Sequence, residues 1–160
     1  MRLRLLIAPL LATALSAQAA GTVQVDFVEP ARYTDAGRST MDTERNTRSL
    51  AEFVQRRLAP QLPDGQVLAI DVTDIDLAGS VRFGRLGDVR VARGGADWPR
   101  ITLRWTLSEN GRTVKTGDET LADMNYLAHV PRAYLGDTDL PYEKRLLADW
   151  FDHTFARPQP

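Results

Sequence analysis

Three aspartates, Asp71, Asp74 and Asp76, stand close together in the chain. Carboxylates gathered this way are the raw material of a calcium or magnesium site, because hard cations take several oxygens at once. On a regular strand Asp74 and Asp76 share a face and Asp71 points away, since side chains alternate. Two carboxylates start such a site without completing it, so a third oxygen is needed, from Asp123 or Asn125. That is the basis for a cation-dependent hydrolase reading. The alternating acids and central glycine of a calcium loop are absent. Arginines supply a competing explanation. Arg82, Arg85, Arg90, Arg93, Arg100 and Arg104 crowd one stretch, whereas Asp64 to Asp76 carries acids and no base. Sequential strands are often neighbours, so cross-strand ion pairs absorb both sets. A guanidinium fork also suits phosphate and carboxylate, which makes the Arg82–Arg104 region a candidate for anionic envelope ligands.

Other chemistry-bearing residues are few. Asp123-Met124-Asn125-Tyr126 is a polar and aromatic cluster just past a strand, where Asp and Asn commonly turn the backbone. His129 sits in an irregular segment. His153 lies near a helix end, where an imidazolium meets the dipole favourably. The chain has no cysteine and two histidines, which removes disulfides, thiolate metal sites, a cysteine nucleophile and multi-histidine metal sites. Gly-x-Ser-x-Gly, phosphate-loop and dinucleotide fingerprints are all missing. No catalytic residue, metal ligand or cofactor is assigned. The candidate binding surface comprises Asp74, Asp76, Arg100, Asp123, Asn125 and Tyr126, with Trp150 and Phe151 from a wide aromatic helix face.

The composition says what must hold these residues. The chain has 160 residues, 43% hydrophobic and 26% charged, with 20 Lys plus Arg against 21 Asp plus Glu. That suits one soluble globular domain, is too apolar for a disordered chain, and lacks the basic excess of a nucleic-acid binder. Residues 1–19 read as a secretory signal peptide. Arg2 and Arg4 charge the start, Leu5 to Leu15 is apolar but too short to span a bilayer, and Ala17-Gln18-Ala19 places cleavage after Ala19. The arginines are not adjacent, and no cysteine follows for a lipid anchor. The expectation is an exported periplasmic or extracellular protein with no membrane span, a single domain over 20–156 and a frayed 157–160 tail. About 140 residues can bury a core without disulfides.

The elements follow from periodicity. Val23 to Val28 alternates and predicts a strand. Leu50, Phe53, Val54 and Leu58 form one stripe, predicting a helix from Asp42 or Thr43 to Ala59, ended by Pro60. Gln66 to Leu77 is a long strand whose apolar parity switches from Leu68, Ile70 and Val72 to Ile75 and Leu77, so an irregularity is predicted near Thr73-Asp74. Asp88 to Arg93 predicts a short strand. Arg100 to Ser108 and Arg112 to Leu121 flank Asn110-Gly111, the pair favoured in a tight hairpin turn. That turn sets Glu109 opposite Arg112 and Leu107 opposite Val114, and brings Arg104 diagonally near Glu119. Asp123 to Gly136 is a loop or a short helix interrupted at Pro131. A last helix runs from Asp139 to Phe155, with Asp139 as its cap. The fold class is α+β: a mostly antiparallel four- to five-stranded sheet, two main helices on one face, order β-α-β-β-β-β-α. The first strand-helix-strand unit suits a parallel crossover.

Several motifs occur in order. They are Tyr33-Thr34-Asp35-Ala36, Leu62-Pro63-Asp64-Gly65-Gln66, Asp74-Ile75-Asp76-Leu77-Ala78-Gly79, Asp88-Val89-Arg90, Trp98-Pro99-Arg100-Ile101, Asp123-Met124-Asn125-Tyr126, and Tyr142-Glu143-Lys144-Arg145 followed by Asp149-Trp150-Phe151. On these the chain resembles a domain-of-unknown-function family of exported proteins from Gram-negative bacteria, the one numbered 3016. The resemblance implies an exported single-domain protein and brings no activity, cofactor or catalytic residue. After Gly79 the chain departs from the family's acidic residue, proline and tryptophan, having Ser80-Val81-Arg82-Phe83-Gly84 instead. The function these observations favour is a periplasmic binding or interaction module whose partner is a protein or envelope component.

Overall fold

A computed structural model describes residues 21–83, 89–129 and 139–155. The predicted signal peptide, Arg85, Asp88, Pro131 and the 157–160 tail lie outside the described residues. Strand β1 (Thr22–Phe27) leads through a tight turn at Pro30–Arg32 to helix α1 (Thr40–Phe53). The Ser39 hydroxyl caps α1 by accepting the Asp42 amide at 3.2 Å, so the helix starts earlier than the apolar stripe alone suggests. The helix widens into a π turn at Val54–Leu58 and tightens at Ala59–Gln61, where Pro60 stops it. Strands β2 (Gln66–Asp76), β3 (Ser80–Arg82), β4 (Val89–Val91), β5 (Arg100–Glu109) and β6 (Arg112–Ala122) follow. A short helix α2 (Tyr126–His129) and helix α3 (Pro141–Phe155) complete the order.

The main sheet has four strands in the order β1-β2-β5-β6. It is mixed, because β1 runs parallel to β2 across the α1 crossover while the other pairs are antiparallel. The parallel β1–β2 crossover agrees with the sequence reading, and the departure from the expected sheet lies in its strand order. The 88–93 segment does not join it: β4 pairs only with β3, a strand the sequence did not announce, in a separate two-stranded ribbon. Gly79 is the reason. It turns the chain at φ +79°, and a Cβ there would stand 2.6 Å from the Val91 carbonyl oxygen, so the two chains close on each other instead of extending the sheet.

The β2 register shifts between Val72 and Asp74, where the parity change placed the irregularity. Leu68, Ile70 and Val72 before it and Ile75 after it thereby face one core, joined by Ile101, Leu103 and Trp105 of β5. Leu50 and Phe53 of α1 and Leu147, Trp150 and Phe151 of α3 cover that same face. Each large side chain buried here contributes roughly 1.5–3 kcal/mol. The opposite face carries a polar row in register, Asp26, Asp71, Arg104 and Asp118.

A second shift lies between Leu107 and Ser108: Ser108 faces Thr113 and Leu107 faces Lys115, leaving Val114 as an unpaired bulge residue. Glu109 does face Arg112, and Asn110 and Gly111 both take positive φ as that turn requires. The extra residue flips every later β6 side chain, so Leu107 does not face Val114. Arg104 faces Asp118, and Glu119 turns inward to accept both the Trp105 and Trp150 indole N–H groups, at 2.8 and 3.3 Å. The flip also sets Gly117 against the Trp105 ring, where any Cβ would collide.

Helix α3 begins at Pro141, which suits the first helical position, rather than at Asp139. The preceding Leu140 has φ 55°, a left-handed conformation rare for a branched residue. Among the described residues no helix is long and apolar enough to cross a membrane.

Candidate functional site

The C-terminal end of β2 and the segment after it, residues 72–79, gather polar side chains from separate parts of the chain. Residues 33–35 lie along this strand end. Tyr33 donates its hydroxyl to the Val72 carbonyl at 2.6 Å. Thr34 donates its amide and hydroxyl to the two Asp74 oxygens at 2.7 and 2.8 Å. The Asp35 amide donates to the Ile75 carbonyl and the Asp35 carbonyl accepts from the Leu77 amide. The Asp35 carboxylate then takes both oxygens to Arg90, whose Nη2 donates to them at 3.0 and 2.9 Å. Nη1 of the same arginine donates to the Gly79 carbonyl at 2.9 Å. From the far side, Oε1 of Glu143 accepts the Ala78 amide at 2.7 Å.

This arrangement follows from local sequence. With β2 finished at Asp76, the Leu77 and Gly79 amides bond to the Asp35 and Asp97 carbonyls, while the Ala78 amide and the 77–79 carbonyls turn to side chains, since buried backbone groups must be satisfied. Arg90, on the β4 strand that Gly79 brings close, supplies donors to the carbonyls, and Glu143, in the first turn of α3, supplies the acceptor. An acidic group there also meets the positive end of the helix.

Glu143 is 2% exposed. Burial raises its carboxyl pKa, against the lowering pull of the Ala78 amide, its own amide and nearby Arg90, while Asp35 adds to the rise. Tyr142 beside it is also raised, first by burial and then by Glu143 and Asp97. Tyr33 is pushed up to about 12, chiefly by burial.

Two cavities open on this cluster and share Arg45, Asn46 and Arg90. One, of about 280 Å³, is walled by Leu77, Ala78, Ala92, Leu140, Tyr142 and Glu143, among others. The other, of about 350 Å³, is walled by Gly37, Arg38, Asp42 and Val81 as well as the shared residues. Together they form a cleft between α1, the β3–β4 ribbon and the start of α3. Its lining offers guanidinium and amide donors, a buried carboxyl and an apolar wall. Among the described residues no hydroxyl nucleophile is held by a histidine, and no group of three or more His, Asp or Glu converges as metal ligands.

The residues singled out from sequence are engaged in separate local contacts. Asp74 is engaged by Thr34, and Asp76 pairs with Arg100 directly across the strands. Asp71 stands 4.0 Å from Arg104. Arg100 also lies over Trp98, with 5.7 Å to the ring. Asp123 holds the Asn125 amide and the His129 Nδ1, at 2.9 Å each. Tyr126 is buried, donating its hydroxyl to Asp97 and accepting the Gly94 amide, with its own pKa raised first by burial. Trp150 and Phe151 are 5% and 2% exposed, so the aromatic face of α3 is core rather than contact surface. That correction has a simple cause: the sheet face opposite it is equally apolar, and the two bury each other.

The cleft residues were missed as a site. Asp35, Arg90 and Glu143 each stand within an ordered motif, but their roles exist only once those motifs meet. Glu143 left one readable trace, a carboxylate four residues before Leu147 and on the same helix stripe.

Beyond the geometry, a protein-family model described as a protein of unknown function, DUF3016, matches residues 21–153. The chain belongs to the DUF3016 family. The match spans every element of the fold up to the last turn of α3, so the cleft lies wholly within the DUF3016 region. No curated protein matches the chain.

Proposed function

We propose that this DUF3016 protein is an exported binding module whose ligand seat is the cleft at Arg90 and Glu143. The observation that carries the reading is the two-cavity cleft over the hydrogen-bonded Asp35, Arg90 and Glu143, of which Glu143 is buried and the Asp35–Arg90 pair partly so. Ligand pockets are concave, partly apolar and lined by a few placed polar groups. Here the polar groups are locked by their own partners, which preorganises them. Export rests on the apolar, arginine-flanked leader and the Ala17-Gln18-Ala19 site.

Ligand-observed NMR with fragments of four kinds (carboxylates, phosphate esters, sugars, amines) tests the seat. Wild type is compared with Ala92→Trp, which fills the apolar cavity, after both are shown to melt cooperatively. At least one fragment class should bind wild type and be lost in the filled variant. Equal behaviour of the two proteins would leave Arg90 and Glu143 with a structural task only. Export is checked by expressing the full chain in a Gram-negative host and sequencing the N-terminus in the osmotic-shock fraction. A chain starting at Ala20 is expected, and an uncleaved cytoplasmic chain refutes it.

A further inference from the structure

The larger cavity differs from its neighbour in charge. Arg38, Arg45 and Arg90 all line it, against one lining carboxylate, Asp42. Asp35 stands behind Arg90 and neutralises part of it, so the cavity keeps a cationic excess. The three guanidiniums are held differently. Arg90 is fixed in orientation by Asp35 and Gly79. Arg38 lies over the exposed Phe83 ring, with 5.2 Å to its centroid. Arg45 pairs with Asp42 at 3.0 Å, one helical turn away, and its own side chain is exposed. Such a pair is worth about 0.3–0.5 kcal/mol, which a bound anion easily outbids. Arg38 and Arg45 flank the start of α1, whose dipole favours negative charge. The adjoining cavity, through Arg45, Asn46 and Arg90, offers the apolar surfaces of Leu77, Ala92, Leu140 and Tyr142, with the carboxyls of Asp139 and Glu143 beside them.

We infer that the cleft takes a ligand with one compact oxyanion, a phosphate ester or carboxylate, seated among Arg38, Arg45 and Arg90, and a small apolar or aromatic body lying on Leu140 and Tyr142. The inference rests on the cleft being the ligand seat, and narrows what sits there. Planar forks bind such oxygens in pairs, and three arginines lining one cavity discriminate against neutral ligands of the same shape. The same oxyanion is found on a free metabolite and on a phospholipid headgroup, and Phe83, 82% exposed beside Arg38, stands where a lipid surface would approach.

The test titrates phenyl phosphate, benzoate, inorganic phosphate and neutral benzyl alcohol into wild type, Arg38→Ala, Arg45→Ala and the double variant. Both arginines are on the surface, so the variants should melt as wild type does. Phenyl phosphate should bind wild type, weaken about tenfold for each arginine removed, as charge-assisted hydrogen bonds imply, and weaken in high salt. In a second arm, wild type and the double variant are sedimented with phosphatidylglycerol or phosphatidylcholine vesicles. Arginine-dependent capture by the anionic vesicles supports the inference and assigns the oxyanion to a headgroup. Arginine-dependent binding of phenyl phosphate without vesicle capture supports it and assigns a free ligand. If benzyl alcohol binds as well as phenyl phosphate, and Ala92→Trp but not Arg45→Ala abolishes it, the seat stands and the anion is wrong. No binding by any anionic probe or vesicle overturns the inference outright, as does vesicle capture that survives in the double variant.

Discussion

Removing the Arg90 guanidinium should expose how far the cleft depends on one side chain. Arg90→Met keeps most of the apolar stem and deletes the charge. Three strong hydrogen bonds go with it, two to Asp35 at 3.0 and 2.9 Å and one to the Gly79 carbonyl at 2.9 Å. The pair is partly buried, at 24% and 34% side-chain exposure. A charge-assisted hydrogen bond contributes about 1.5–3 kcal/mol and an exposed ion pair about 0–1 kcal/mol, so the intermediate burial places the whole loss at roughly 3 kcal/mol. Asp35→Asn keeps the backbone bridge to Ile75 and Leu77 and should cost about 1.5–2 kcal/mol, by loss of the charged partner. With Arg90 already replaced, the same Asp35 change should cost about zero, because it removes a half-buried carboxylate that has lost its cation. The double variant should therefore be more stable than the sum of the singles by about 1.5–2 kcal/mol. Urea unfolding followed by tryptophan fluorescence measures this, with an unchanged slope confirming that only stability moved. Two contacting groups that add within about 0.3–0.5 kcal/mol are not coupled. That result would refute the claim that Asp35 and Arg90 work as one unit.

Other changes test other parts of the structure. Glu143 has a raised folded-state pKa, so the native protein holds its proton more tightly than the unfolded chain does. Its contribution is therefore present at acid pH and lost as pH climbs from the ordinary value of 4.5 through the raised one; the urea midpoint of Glu143→Gln should fall less over that interval than wild type's, and parallel curves would contradict the burial argument. Gly117→Ala sets a Cβ 2.5 Å from the Trp105 ring, so in place of the usual gain from replacing a strand glycine it should cost about 1–3 kcal/mol by overpacking; Trp105→Leu in the same chain should recover most of this, and a stabilising Gly117→Ala would show that the bulge register is wrong. Asp74→Asn keeps an acceptor for the Thr34 amide but loses one for its hydroxyl, and should cost about 1 kcal/mol equally with calcium or chelator; a thermal shift that only wild type shows with calcium would return a cation to this cluster.

Local patterns in the chain carry their own geometry wherever a rule of period or turn chemistry applies. The break in β2 was legible because Val72 and Ile75 cannot share a face without an extra residue between them. Asn110-Gly111 closed the β5–β6 hairpin because both positions need positive φ. The α1 stripe and its stop at Pro60 were legible for the same kind of reason. The bulge at Val114 was not. Either alternation of β6 is acceptable by itself, and only the bulk of Trp105, which leaves room for Gly117 alone, selects one. The aromatic face of α3 posed a similar ambiguity, since an apolar stripe reads alike whether a sheet or a partner covers it.

The sequence by itself determined the α+β class, the crossover from β1, the β5–β6 hairpin with its turn, and the ordered motifs of the family. Tertiary structure alone decided that β3 and β4 leave the main sheet, that Asp74 and Asp76 are occupied by Thr34 and Arg100, and that Asp35, Arg90 and Glu143 meet. The physical reason is range. Periodicity and turn chemistry act over a few residues, whereas the cluster joins groups 55 and 65 positions apart. What brings them together is the demand of the Ala78 amide and the 77–79 carbonyls for partners, and that demand exists only after β2 has ended inside a folded core.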